Sequence, residues 1–245
     1  MSNDFRDDVI VLHVKNWQTA DKYAVCFTRE HGKIRFIAYG GRYPKNVAGR
    51  LLQPFARLSV EVNAGQRTDK LKTCELLSLP LAFDFKQMAY AAVATELTAV
   101  FTEDHQSQPE VYQLLTETLL LLKERNPRIV ILAFALKLLD LTCFAPQVEA
   151  CVVCGKEFPE EDVWFSPLQG GVVCNACHNA TGEEKFSLGT GKLLANLKKL
   201  DFQNPSPFSV KGGELMELEN LLYKFILFQT DKPLNSINFL AQMGM

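Results

Sequence analysis

Cys151, Cys154, Cys174 and Cys177 form two Cys-x2-Cys pairs with nineteen residues between them. This spacing is that of a zinc site. Two residues between ligands allow a tight turn that aims both sulfurs at one ion, and the amides of that turn can donate to the thiolates. Gly155 follows the second cysteine, where such a turn needs positive φ. Two knuckles then complete a tetrahedron with Zn–S distances of about 2.3 Å. Unmetallated thiols, a redox pair and an iron–sulfur cluster are the alternatives. A redox CxxC opens the helix of a βαβ unit, which this sequence lacks, and paired knuckles favour zinc over iron–sulfur. His178 adjoins Cys177 and could substitute as a ligand, but four thiolates already close the shell. A closed shell leaves no position for an activated water, so one Zn2+ is expected as a structural clip. It would stabilise residues 147–182, a segment with little core of its own.

A second set of residues could hold an anion. Residues 1–80 carry 13 Lys and Arg against 8 Asp and Glu, a net of +5, whereas residues 81–245 carry 13 against 20, a net of −7. The basic residues are densest between Lys33 and Lys72. Lys33 and Arg35 alternate along one strand-like stretch and so share a face, as do Lys70 and Lys72 on another. Arg42, Lys45 and Arg50 lie in the intervening Gly- and Pro-containing loop, with Tyr39, Tyr43 and Phe55 interleaved. Single-strand binders combine a positive groove with aromatic stacking surfaces. Taken singly, Tyr39 and Phe55 read as core residues, and the whole set could also be a solvated mixed surface.

No catalytic constellation accompanies these groups. His13, His31, His105 and His178 lie near no nucleophile motif, and no Walker A loop occurs. Cys26, Cys74 and Cys143 sit in apolar patterns and are expected to be buried and inert. The Glu160-Glu161 pair reads as loop solvation. A non-enzyme is expected.

The elements that must position these residues fall into three groups. Val9–Val14, Tyr23–Thr28, Ile34–Tyr39, Leu58–Val62 and Leu71–Leu77 read as short strands separated by turn residues. Five strands in about 75 residues suit a small closed barrel of the oligonucleotide-binding (OB) type, although an SH3-like barrel would read the same from strand count. From Phe83 the period becomes helical. One helix begins at Phe85, Pro109 and Pro127 open two more, and the stretch from Ile129 to Phe144 is apolar almost all round, as a central helix should be. Beyond the cysteines, Ser187–Leu200 reads as a helix whose start is blurred by Gly189 and Gly191. Asn204–Pro207 is a break. Glu214–Phe228 is a further helix with Leu215, Leu218, Leu221, Leu222, Phe225 and Phe228 toward the core. The expected class is α+β, with a basic OB barrel over 1–80, helices over 81–146 and 183–245, and a zinc module over 147–182. The acidic N-terminus is unlike a signal peptide, and the longest apolar stretch is too short to span a bilayer. With an odd cysteine count this predicts a soluble protein of a reducing compartment.

Together these residues resemble the RecO family of bacterial recombination mediators. The resemblance rests on Gly32-Lys33 through Ala38-Tyr39-Gly40, Leu51-Leu52-Gln53-Pro54-Phe55, Cys151–Gly155, Phe165-Ser166-Pro167 with Gly170-Gly171, Cys174–Cys177, and Lys232–Leu240. It implies a cytoplasmic, nucleoid-associated, non-enzymatic protein that binds single- and double-stranded DNA and anneals complementary strands. With RecR, such a protein helps load RecA onto DNA coated by single-stranded-DNA-binding protein. The family's loop after the third strand is richer in Arg, Lys and Ser than Gly40–Val47 here, which makes that loop a weaker candidate for the main DNA contact, although Arg42 and Lys45 stay among the expected DNA-binding residues. A zinc-stabilised interaction scaffold with minor DNA affinity is the competing expectation.

Overall fold

Val9-Ile10-Val11-Leu12 is buried without a break, which a strand achieves only when both of its faces are covered. In the computed structural model, which describes residues 4–65, 68–78, 82–157, 162–179, 182–204 and 210–243, Val9 and Val11 line the inside of a barrel. Ile10 and Leu12 point outward into the core of a helical layer. The barrel comprises β1 (Asp4–Trp17), β2 (Asp21–Thr28), β3 (Lys33–Ala38), β4 (Arg57–Asn63) and β5 (Asp69–Ser78), with a short helix α1 (Val47–Leu51) between β3 and β4. It closes in the order β1-β2-β3-β5-β4, with β3 and β5 parallel and the other pairs antiparallel. That Greek-key closure is OB-like, which strand count alone could not decide. Phe36, Ile34, Leu58 and Val60 fill the interior.

Five helices follow the expected pattern: α2 (Phe85–Phe101), α3 (Pro109–Leu121), α4 (Pro127–Leu141), α5 (Leu188–Lys199) and α6 (Gly212–Thr230). A capping box of Asp84 and Gln87 starts α2. Pro109 and Pro127 occupy first-turn positions of α3 and α4. Every residue of α4 from Val130 to Leu136 is buried, so it is the central helix. Ser187 caps α5 by accepting from Thr190 N, and the helix runs straight through its two glycines. A Cβ on Gly189 would lie 2.3 Å from the Glu214 carboxylate, so the glycine there allows a close approach. A further helix, α7 (Asn235–Gln242), completes the layer. Glu96 of α2 accepts from the amides of Asn235 and Ser236, satisfying the exposed start of α7.

Two expected core residues lie outside it. Phe228 is about half exposed, because it falls on the solvent side of α6. Cys143 is exposed, in a left-handed turn that ends α4. Cys26 is fully buried, and burial raises its thiol far out of the reactive range. The Glu160-Glu161 pair lies outside the described residues, as does most of the 204–207 break.

Candidate metal centre and nucleic-acid interface

The four sulfurs of Cys151, Cys154, Cys174 and Cys177 all lie within 4.8 Å of one another. Four ligands at ~2.3 Å around one ion sit roughly 3.8 Å apart, and the Cys154–Cys174 sulfur separation is 3.8 Å. The cluster therefore fits one tetrahedral metal ion. The first knuckle closes by Gly155 N donating to Cys151 O at 2.8 Å, with Gly155 at φ +72°. The second closes by Cys177 N and His178 N both donating to Cys174 O at 3.0 Å. His178 stays out of the cluster. It stacks on Trp164 at 3.7 Å and pairs with Glu183.

Burial pushes the Cys151 thiol up, but amide donation from Cys174, Cys154 and Val153 outweighs it and brings the thiol down to about 6. The Cys177 S–H instead donates toward Cys174 and Cys154, which holds Cys177 protonated and raises it to about 12. A cation entering the cluster must displace that proton. Metal titration in weakly buffered solution at neutral pH is therefore expected to release protons, and affinity should weaken as pH falls. Proton-neutral binding would contradict this arrangement.

Strands β6 (Val163–Ser166), β7 (Gly171–Val173) and β8 (Glu184–Phe186) form a small sheet ordered β7-β6-β8. Strand β7 leads directly into Cys174, and Val152 N of the first knuckle donates to Val172 O at 3.0 Å, which brings the two knuckles together. Val163, Phe165, Val172 and Phe186 leave the module and join the main core, where Phe165 meets Phe225 edge-on at 5.9 Å.

On the barrel, strand register arranges the outer face of β1, β2 and β3 into successive rows. Ile10, Phe27 and Lys33 form the first, under the helices. His13, Val25 and Arg35 form the next. Lys15, Tyr23, Ile37 and Lys70 form the third, reaching β5. Trp17 opposite Asp21 ends the sheet. Cover falls away along these rows. Lys33 is buried, whereas Lys15, Trp17, Tyr39 and Lys70 are exposed. Lys15 Nζ lies 5.3 Å from the Trp17 ring and 5.0 Å from the Tyr23 ring, and Lys70 Nζ lies 5.9 Å from the Tyr39 ring.

The sequence description "Recombination protein O N terminal" matches residues 1–80, and "Recombination protein O C terminal" matches residues 82–237. The chain belongs to the RecO family. Relatives named DNA repair protein RecO support this over nearly full length. The Symbiobacterium thermophilum protein is 35% identical over 240 residues, covering 95% of each chain. The Myxococcus xanthus protein is 32% identical over 248 residues, covering 98% of each. The Desulforamulus reducens protein is 28% identical over 244 residues, covering 98% of this chain and 94% of its own.

The seven basic residues singled out from this RecO-family sequence are not brought together as one patch. Lys33 is 5% exposed, and its ammonium donates to Ala99 O at 2.5 Å and Thr102 O at 2.6 Å, carbonyls at the C-terminal end of α2. Burial lowers its pKa, partly offset by Asp104. It joins barrel to helices rather than facing an external anion. Arg35 is exposed but paired with Asp104, and Lys72 is paired with Asp4 and Glu61. Arg42 donates to Gln18 O and Thr19 O, pinning its loop to the β1–β2 turn. Lys45 and Arg50 are exposed and form no ion pair among the described residues. Lys70 stands over Tyr39, which is 55% exposed and so not a core residue. Asn46 caps α1 through Gly49 N and braces Tyr39 O, which accounts for a neutral residue at that point in the loop.

Lys15, Trp17 and Tyr23 were not singled out by sequence reasoning. The available signal was the Lys15-x-Trp17 alternation just before a turn, with Tyr23 just after it. Two strands joined there must set those side chains on one face.

Proposed function

We propose that this RecO-family chain is a DNA-binding recombination mediator. It binds single- and double-stranded DNA, anneals complementary strands and, with RecR, helps load RecA onto DNA coated by single-stranded-DNA-binding protein in the bacterial cytoplasm and nucleoid. The observation that carries this reading is family membership, matched over residues 1–80 and 82–237. The open cation-and-aromatic end of its barrel supports it. Oligonucleotide binding by OB barrels uses the face of strands 2 and 3 and the adjoining loops. Here Lys15 on β1 and Lys70 on β5 flank the β2–β3 face, and Arg42 and Lys45 lie in the loop after β3, with Arg50 on α1. The mediator acts by holding strands rather than by bond chemistry. Residues 1–80 serve as the DNA-binding unit, 81–146 with 183–245 as the helical unit, and 147–182 as the module clipped by one structural Zn2+.

Phosphate contacts make affinity fall with salt, with a log–log slope of about −0.7 per phosphate on single strands. Reversing Arg42, Lys45 and Lys70 to Glu together should reduce that slope by about 2 and weaken binding to all sequences alike. A flat salt response in the unaltered protein would overturn the DNA-binding reading.

A specific observation favours a scaffold reading with minor DNA affinity. A groove of about 360 Å³ between α2, α4, α6 and α7 is lined by Leu97, Ile131, Leu222, Ile226 and Ile237. Co-precipitation with RecR and single-stranded-DNA-binding protein, with and without DNA, discriminates. A scaffold would bind both without DNA and show no annealing.

A further inference from the structure

Resting on the DNA-binding reading, we propose that the open end of the β1–β2–β3 face is a stacking platform for an unpaired strand. It holds bases by their ring faces and leaves their pairing edges free. The platform is Trp17, Tyr23 and Tyr39, flanked by Lys15 and Lys70. It is separate from the Lys33–Arg35 stretch, which the helices and Asp104 occupy.

Three observations carry this. First, large rings are presented to solvent where the barrel is open. Trp17 is 38% exposed and Tyr39 is 55% exposed, and Tyr43 in the loop after β3 is 61% exposed. Second, the rings are held in place. Trp17 and Tyr23 lie 5.6 Å apart with planes 36° from each other, and the Tyr39 carbonyl is braced by Asn46. Third, the local charge suits phosphates. Lys15 and Lys70 stand at the two ends of the third row, and Asp21, the carboxylate beside Trp17, is engaged by Gly40 N at 2.8 Å.

Four strands at ~4.8 Å spacing make that row about 14 Å long. This is roughly the length of four stacked nucleotides at ~3.4 Å each. A duplex hides its base faces inside its own stack, so these rings can engage a single strand and not a paired one. Every base has a π-face, so the contact is indifferent to sequence. Because recognition uses the faces, the hydrogen-bonding edges of a bound strand stay available to a complement. That is the state an annealing protein needs to present.

The test uses the intact protein and a mixed-sequence oligonucleotide, single-stranded or as a blunt duplex. Tryptophan emission should be quenched by the single strand and unchanged by the duplex. Trp17→Phe should abolish the quench while keeping most of the affinity, which separates Trp17 from the other tryptophan, Trp164. Trp17→Ala and, independently, Tyr39→Ala should each weaken single-strand binding by about 10-fold or more, with duplex binding unchanged. Adenine N1 and cytosine N3 of the bound strand should remain reactive to dimethyl sulfate. Equal quenching by duplex, unchanged single-strand affinity in both alanine variants, or protection of N1 and N3 would overturn the platform while leaving DNA binding intact. Failure of the unaltered protein to bind single strands at low salt would instead overturn the function on which the platform rests.

Discussion

Replacing Lys33 with methionine is expected to lower folding stability by about 3 kcal/mol and to leave the salt dependence of DNA binding unchanged. The ammonium satisfies two carbonyls at the C-terminal end of α2, where the helix dipole also favours a cation. Methionine fills similar volume but leaves those buried carbonyls without a donor. Around Lys33 the barrel and helices pack closely. His105 N donates to Lys33 O, and a Cβ on Gly32 would lie 1.9 Å from Gln106 O. For a chain of this size the loss corresponds to a fall in Tm of roughly 6–12 °C. Arg35→Ala, which removes an exposed ion pair with the same Asp104, should cost less than about 1 kcal/mol. An unchanged Tm together with a shallower salt slope in Lys33→Met would mean that Lys33 contacts phosphate after all.

Cys151→Ser should have a larger effect still. Cys151 is the most buried of the four ligands and receives amide donation from the second knuckle at Cys174 N. Losing one thiolate removes most of the metal affinity, which in isolated zinc peptides reaches about 10–16 kcal/mol. Hydrogen exchange should rise first at 151–157 and 171–179. The damage should then spread to Phe225 on α6, since Phe165 and Phe186 root the small sheet in the main core. Residues 4–65 should keep their protection, because no cysteine ligand touches the barrel core. Tm should fall further than in Lys33→Met, and chelation of the unaltered protein should reproduce the pattern. Exchange confined to the knuckles would mean that the module folds as a separate unit. Loss of DNA binding with metal content and Tm intact would mean that the cluster has a direct role in DNA contact.

The strands were legible because branched and aromatic residues alternate within them and turn residues divide them. Each observed strand contains nearly all of its expected core segment, with β1 extended at both ends. The cysteine cluster was legible because a knuckle is a local device whose spacing sets its geometry. What the chain order alone could not specify was which part of an outer barrel face another layer would cover. Alternation puts Lys33 and Arg35 on one face, correctly. It does not say that the end of α2 comes to rest over Lys33 while Lys15 and Trp17 stay open. Tyr39 reads as a strand residue, yet it lies just past the end of β3 and projects into solvent. Cys143 and Phe228 sit at or near helix ends, where an apolar periodicity runs on after burial has stopped. The start of α5 shows the converse: Gly189 fits the close approach of Glu214, Gly191 fits that of the Phe186 ring, and the Ser187 cap starts the helix despite them.

The proposed mediator role is tested most directly by annealing complementary strands that are coated with the cognate single-stranded-DNA-binding protein. The unaltered chain should accelerate pairing, and the acceleration should be lost at high salt and in Trp17→Ala. Pairing no faster than without the chain, at low salt and with both strands coated, would contradict the account.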